Sequence, residues 1–404
     1  MDSPHNSSLL SSFLIPSPPP LLFYKDQILL FDMLKEIIEG KTRLLVPEPG
    51  KYGVTKKGRE RKPPVFYNPR MKLNRDICCS VVKVLARNES INFADVLAGS
   101  GARGIRVANE VGCSVHLNDA SREAFQLIKK NANLNNLKVQ ISNKDANLFL
   151  QEEGRFNFID IDPFGTPVPF LDNAIMRLED FGYLGITATD TAPLCGVYPK
   201  ACFRKYGALP LRSDFCHEVG FRILIGYTAR AAARYNKGLR CVLGHSTDHY
   251  FRIYVQLCEG KKKANEALRN LGYVYYCGKC LKRESSKGFF PQNGVCECGN
   301  TYNIAGPLWL GEIRDREFTS LVLEESHYLE DKRVENLLQL INSEVEVPFY
   351  YDIHRLCKSL KVNVPPFRDL ISKLKDEGYT ASRTHFALTA IKTDAPLDRL
   401  KLLL

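Results

Sequence analysis

Nothing in the sequence looks built to cross a membrane or leave the cell. The N-terminus is apolar in two places, Leu9 to Ile15 and Leu21 to Tyr24, but Pro16 and the run Pro18-Pro19-Pro20 interrupt it, and no basic stretch precedes it. That pattern fits neither a signal peptide nor a membrane span, and residues 1–25 read as a disordered, Ser/Pro-rich tail. A disulfide framework is missing too. The thirteen cysteines are an odd number; nine are scattered or adjacent as Cys78-Cys79, and four gather between Cys277 and Cys298. This distribution suits a reducing compartment with one metal site, so the expected location is intracellular, in nucleus or cytoplasm. Internal repeats are absent. Acidic charge is in deficit, 45 Asp and Glu against 56 Lys and Arg.

What remains is material for a sizeable globular chain. With 404 residues, 44% of them hydrophobic and 25% charged, it can build one large core and one or two smaller ones, hence two or three domains. The net charge of +11 is partly local: residues 51–75 hold nine Lys or Arg (51, 56, 57, 59, 61, 62, 70, 72 and 75) against Glu60 alone. A concentrated basic patch suits a polyphosphate partner, because binding releases condensed counterions; the alternative is a solvated loop.

From about residue 75, short β-branched runs alternate with helical patterns, the rhythm of a mostly parallel sheet covered on both faces. The expected strands are Phe93–Leu97, Ser114–Asn118, Val139–Ser142, Phe156–Ile161, Leu184–Thr189, Cys241–Gly244 and Phe251–Leu257, with helices at Asn74–Ala86, Ser121–Asn133 and Glu218–Tyr235. This is a seven-strand, doubly wound α/β domain whose ligand belongs at the carboxyl ends of the strands. Only a short turn joins the last two strands, so one of them must run antiparallel. After Gly260 the composition changes. Ile353, Leu356, Cys357 and Leu360 fall at helical spacing, as do Phe367, Leu370, Ile371 and Leu374, and a strand-like Thr380–Ala387 follows. This succession resembles a winged-helix unit.

The stretch from Phe93 to Gly104 is a strand entering a Gly-rich turn and then a helix. Gly99, Gly101 and Gly104 let the backbone approach a ligand, but their spacing alone does not choose between a nicotinamide dinucleotide and S-adenosylmethionine. Asp119, at the end of the second strand, can accept ribose hydroxyls of either. Asp145 can take an adenine amine or simply cap a helix. The fourth strand is more specific, since it ends in Asp162-Pro163-Phe164-Gly165. An exocyclic amine on a purine is a poor nucleophile, because its lone pair is delocalised into the ring. Asp162 can accept its N–H and take up the proton as the N–C bond forms, while Phe164 offers a face to an extruded base. A dehydrogenase has no use for that arrangement; the plainer alternative is a turn started by Asp162-Pro163. Asp160, on the same strand face, reads as a buried hydrogen-bonded partner.

Several separated stretches together resemble the tRNA guanine-26 N2-dimethyltransferase family. They are Val65-Phe66-Tyr67-Asn68-Pro69-Arg70-Met71, Asn74-Arg75-Asp76, the Gly99 loop, Asp162 to Gly165, Thr187-Ala188-Thr189-Asp190 with Ala192 to Gly196, Cys216-His217-Glu218-Val219-Gly220, Asp248 to Arg252 and Thr384-His385-Phe386. The resemblance runs from about Glu39 to Thr389. It implies that Arg75, Arg103, Asp119, Asp145 and Ala146 contact S-adenosylmethionine, with Arg106 the alternative to Arg103. Asp162 and Phe164 are the expected catalytic residues, and the expected partner is tRNA, bound by a monomer with no membrane association. The expected organisation is a tail over 1–25, a Rossmann-like methyltransferase domain over 26–260, and an α+β tRNA-binding domain over 261–404.

Two features depart from the family pattern: a basic insertion over Lys51–Pro64, and a tight cysteine pair. Cys277-Gly278-Lys279-Cys280 and Cys296-Glu297-Cys298 stand fifteen residues apart, and four thiolates on two knuckles fit a closed zinc site that would fold this loop-rich segment. The second knuckle is one residue shorter than usual. His245 and His249 read as polar residues of the core or of the RNA face. The alternatives to the guanine-26 reading are a non-catalytic tRNA- or DNA-binding protein with a vestigial cofactor site, another exocyclic-amine nucleic-acid methyltransferase, and a dehydrogenase.

Overall fold

The computed structural model describes residues 33–48, 63–292 and 294–404. The tail over 1–25 and the basic residues Lys51, Lys56, Lys57, Arg59, Arg61 and Lys62 lie outside the described residues.

A hairpin of β1 (Leu34–Glu39) and β2 (Thr42–Pro47) leads the described chain, turning at Gly40. The main sheet then follows as β3 (Asn92–Asp95), β4 (Ser114–Asn118), β5 (Gln140–Ser142), β6 (Phe156–Ile161), β7 (Leu178–Ala188), β8 (Lys237–Thr247) and β9 (Tyr250–Glu259). Its order is β5-β4-β3-β6-β7-β9-β8. The seven expected strands are all present, and β9 runs antiparallel to both β7 and β8, as the short turn requires. β7 begins six residues earlier than its apolar run, at Leu178, because the sequence breaks at Phe181, whose φ is 59°, before the regular pairing with β6 resumes at Tyr183.

Alternate residues of the strands feed two apolar cores, as the two-residue period demands. Ala94, Ile159, Leu184 and Ile186 pack into the core shared with the helix Cys216–Arg234 and the C-terminal segments. Phe93, Phe158, Tyr183 and Tyr254 pack on the opposite side, with the helices Lys72–Leu85 and Ala102–Val111. The helices Arg316–Ser326 and Lys332–Ser343 join that second core through Val322, Val334, Leu338 and Ile341.

Beyond the sheet, β10 (Leu271–Tyr276) pairs with β11 (Arg283–Lys287) and β12 (Asn303–Trp309). The last unit has β13 (Tyr351–Asp352), helices Ile353–Leu360 and Phe367–Asp376, then β14 (Ala381–Arg383) and β15 (Ala390–Thr393), in the sheet order β13-β15-β14. Two helices followed by a hairpin give the winged-helix arrangement expected from the spacing. A buried charge cluster ties this unit to the helix Cys216–Arg234. Lys392 Nζ lies 3.2 Å from both Glu218 and Glu344, His385 Nδ1 is 2.5 Å from Glu344, and Arg222 Nε donates to Glu218 at 2.9 Å. Two motifs of the resemblance, around Glu218 and around His385, are therefore the two ends of one internal junction. No helix among the described residues is long and apolar enough to cross a membrane.

Candidate active site

The strand order reverses beside β3, which has β4 on one side and β6 on the other. A crevice opens where the chain leaves such neighbouring strands in opposite directions, and here it is bordered by the Gly99 loop after β3 and by Asp162 after β6. Gly99 has φ 54°, and a Cβ there would meet the Phe66 carbonyl at 3.2 Å. The segment around Phe66 thus lies directly over the loop. A Cβ at Gly104 would strike Leu117 at 2.7 Å, so this glycine seats the helix on the sheet. Beneath the loop, Asp95 Oδ2 accepts the Gly104 N–H at 3.1 Å, and burial, with Asp160 adding repulsion, pushes its carboxyl up to about 7.

The two carboxylates expected to meet the cofactor are fixed by main-chain donors. Asp119 accepts the N–H of Gly99 through Oδ2 at 2.8 Å and that of Ser121 through Oδ1 at 2.9 Å. Asp145 caps the helix Ala146–Glu152, its Oδ1 accepting from Asn147 at 2.9 Å and Leu148 at 3.2 Å. Asp145 is exposed and Ala146 is buried beside it. The capping alternative is thus realised, and both cap bonds go to the one oxygen Oδ1.

Asp162 is held by other means. The Arg103 guanidinium, buried, donates through Nη2 to Asp162 Oδ2 and through Nη1 to Asn74 Oδ1 at 2.8 Å, while its Nε lies 3.0 Å from Asp160 Oδ1. Burial opposes its charge, but Asp160 and Asp162 outweigh that and keep it protonated. Asp160 itself is fully buried and pairs with Arg252, whose Nη1 donates to Thr187 Oγ1 at 3.0 Å. The reading of Asp160 as a buried partner holds. The motif after β7 supports the same loop: Gly165 N–H donates to Thr189 Oγ1 at 2.7 Å, and Asp190 accepts from the Tyr206 hydroxyl at 2.6 Å. Tyr250, buried near Asp162, has its hydroxyl pushed up by burial and by that carboxylate and stays protonated.

Next to Asp162 the surface is aromatic. Phe164 is 76% exposed and Phe66 48% exposed, with ring centroids 4.3 Å apart at 73°. Large apolar rings left in water beside a polar acceptor suit a planar ligand. Sequence reading placed Phe164 here and missed Phe66; the available signal was an aromatic before Tyr67-Asn68-Pro69 in the resembling stretch.

The remaining arginines are placed differently. Arg75 makes a two-pronged bond to Glu39, at 2.8 and 2.5 Å, and donates to the Asn68 carbonyl at 3.2 Å, so it anchors the segment lying over Gly99. Arg106, fully buried, is taken up by Asp76 at 2.6 Å, Glu110 at 2.8 Å and Glu39 at 3.5 Å. Between Arg103 and Arg106, Arg103 is the one at the crevice.

In the C-terminal part, the sulfurs of Cys277, Cys280, Cys296 and Cys298 all lie within 4.8 Å of one another, with 3.4 Å between Cys277 and Cys298 and between Cys280 and Cys296. A tetrahedral zinc with bonds of about 2.3 Å needs sulfurs about 3.8 Å apart, so this donor set fits the ion. The short second knuckle closes through Gly299 N–H to the Cys296 carbonyl at 2.7 Å. Arg368, Lys373 and Lys375 are exposed along the helix Phe367–Asp376.

Comparison with known proteins gives a consistent picture. The family described as N2,N2-dimethylguanosine tRNA methyltransferase matches residues 40–404. A tRNA (guanine(26)-N(2))-dimethyltransferase of Methanobrevibacter smithii is 42% identical over 380 residues, spanning 91% of this chain and 96% of its own length. Its counterpart in Pyrococcus horikoshii is 41% identical over 386 residues, spanning 90% and 96%. The solved structure of Trm1 from Pyrococcus horikoshii with S-adenosyl-L-methionine superposes with a TM-score of 0.82 at 40% identity, covering 92% of this chain and 99% of that one.

Proposed function

The chain belongs to the N2,N2-dimethylguanosine tRNA methyltransferase family, and from that premise we propose how its residues divide the work. It is an S-adenosylmethionine-dependent enzyme that methylates the N2 amine of guanine 26 in tRNA, once and then again. S-adenosylmethionine supplies the methyl group as a sulfonium. Asp119, its carboxylate already oriented by two main-chain donors, receives the ribose hydroxyls. Asp145 Oδ2 receives the adenine amine beside Ala146. Arg75 and Arg103 border the same crevice, and Arg103 in addition orients Asp162.

One observation carries the assignment of the chemistry: a carboxylate fixed by a buried arginine stands beside two exposed aromatic rings at the switch point of the sheet. Arg103 occupies Asp162 Oδ2, so Oδ1 is the oxygen presented to the guanine amine. The amine nitrogen becomes acidic only as the N–C bond forms, and Asp162 is placed to take its proton then. Phe164 and Phe66 hold the base plane while alignment supplies most of the acceleration. Extruding the base costs a few kcal/mol, and phosphate contacts remote from it provide that energy. Arg368, Lys373 and Lys375 are assigned to those contacts, together with the basic segment Lys56, Lys57, Arg59, Arg61 and Lys62.

The unit over 26–260 performs the transfer and that over 261–404 holds the tRNA body, with one Zn2+ on Cys277, Cys280, Cys296 and Cys298 folding its loop-rich part. The enzyme acts inside the cell as a monomer. The test is nucleoside analysis after incubation with labelled cofactor and two transcripts, one with guanosine and one with adenosine at position 26. N2-methylguanosine and N2,N2-dimethylguanosine should form in the first alone; equal labelling of both would contradict the reading.

A further inference from the structure

A second group of metal-ligating side chains lies outside the four-cysteine knuckle. Cys195 follows the short helix Thr191–Leu194, after β7, while Cys216 and His217 open the long helix Cys216–Arg234. One ligand atom from each, two sulfurs and an imidazole nitrogen, come within 4.8 Å of one another. The approach is built into the backbone. A Cβ on Gly220, one turn into the long helix, would stand 3.0 Å from the backbone and side chain of Leu194, so glycine there lets the two segments close until the thiols meet. Cys195 is buried, Cys216 half-buried and His217 exposed, which leaves the sulfurs inside with the imidazole open to solvent.

We infer that Cys195, Cys216 and His217 form a second site for a borderline-soft divalent cation such as Zn2+, with water in the fourth position. Two thiolates and one imidazole are a donor set that Zn2+ accepts, and three protein ligands from two segments leave one position open. Binding would displace a proton from each thiol to the buffer. The place gives the site a purpose. The loop that ends at Cys195 also carries Thr189, which bonds to Gly165 through both its hydroxyl and its N–H, and so braces the turn after Asp162. An ion at Cys195 would pin that loop to the first turn of the long helix, stiffening the rim of the base pocket. The inference concerns this chain's own ligands and does not depend on which nucleoside is methylated.

The test is the metal content of the full chain, equilibrated with Zn2+ under reducing conditions and freed of loose ions by gel filtration. About two ions per chain are expected. His217→Ala, at an exposed position, should retain its fold and bind about one, as should Cys195→Ser, while Cys277→Ser loses the other ion and leaves this one. With Co2+ as probe, the wild type should show more thiolate charge-transfer absorbance than His217→Ala. A wild-type content of about one ion per chain, an unchanged content in both His217→Ala and Cys195→Ser, or a Cys195–Cys216 disulfide that resists those reducing conditions in the metal-free protein would overturn it.

Discussion

The two walls of the crevice are held by different forces. On the wall proposed for the cofactor, Asp119 and Asp145 are oriented by main-chain N–H groups, most of them two or three residues away, so the geometry comes with the local turn. On the wall proposed for the base, Asp162 depends on Arg103, which depends on Asp160, which depends on Arg252, a chain of charged side chains drawn from three distant stretches. A main-chain donor tolerates substitution of its own side chain. A buried guanidinium does not, because removing it leaves carboxylates in the core without a counter-charge. The base wall should accordingly be the brittle one.

The largest effect is expected from Arg252→Met. It leaves Asp160 fully buried with one counter-charge gone, a loss of about 3–5 kcal/mol that urea unfolding would read. Adding Asp160→Asn should recover part of that loss; a single-variant cost under about 1 kcal/mol would mean the web is not the support described.

The junction between the long helix and the winged-helix unit is a second side-chain assembly of the same kind. Burial opposes the charge of Glu344, but His385 and Lys392 overcome it and hold the carboxyl down at about 2. A depressed acid contributes stability above its unfolded value of 4.5 and loses it as pH falls from there through about 2. Wild-type stability should therefore drop on the order of 3 kcal/mol more than that of Glu344→Gln across that window. Parallel losses in the two proteins would separate the junction from the comparison.

Smaller effects are expected on the cofactor wall. Asp119→Ala should weaken S-adenosylmethionine by about 1.5–3 kcal/mol in calorimetry, the value of a hydrogen bond to a charged acceptor, with little change in melting. Unchanged affinity would move the ribose site elsewhere. Least of all, Asp145→Ala should cost about 1 kcal/mol of stability as a lost cap, while Asp145→Asn keeps the cap and shows a weakened cofactor alone. Equal cofactor affinity in Asp145→Asn and the wild type would reduce Asp145 to its capping role.

The same contrast explains what the sequence disclosed. The seven strands, the Gly99 loop with Asp119 beside it, and the gathering of the four knuckle cysteines were legible because their signals are local: a two-residue period, glycine spacing, paired cysteines. The hairpin Leu34–Glu39 with Thr42–Pro47 was not among the expected elements because its apolar residues stand side by side, Ile37-Ile38 and Leu44-Leu45-Val46, with no clean alternation, although Gly40 marks its turn. The Arg103–Asp160–Arg252 web, the pairing of Phe66 with Phe164, and the meeting of Cys195 with Cys216 and His217 are contacts between segments far apart in the chain. No spacing announces them; they exist only once the sheet order brings β3, β6, β7 and β9 side by side. His245, read as a core or RNA-facing residue, is fully buried, while His249 is exposed on the turn between β8 and β9.

The most direct measurement pairs two readouts on Asp162→Ala, the rate of N2-methylguanosine formation in tRNA and the affinity for S-adenosylmethionine. If Asp162 serves the amine and the other wall serves the cofactor, the rate falls by roughly 10²–10⁴-fold while affinity stays within about twofold. Wild-type turnover, or a loss of cofactor binding that accounts for the lost rate, would contradict that division.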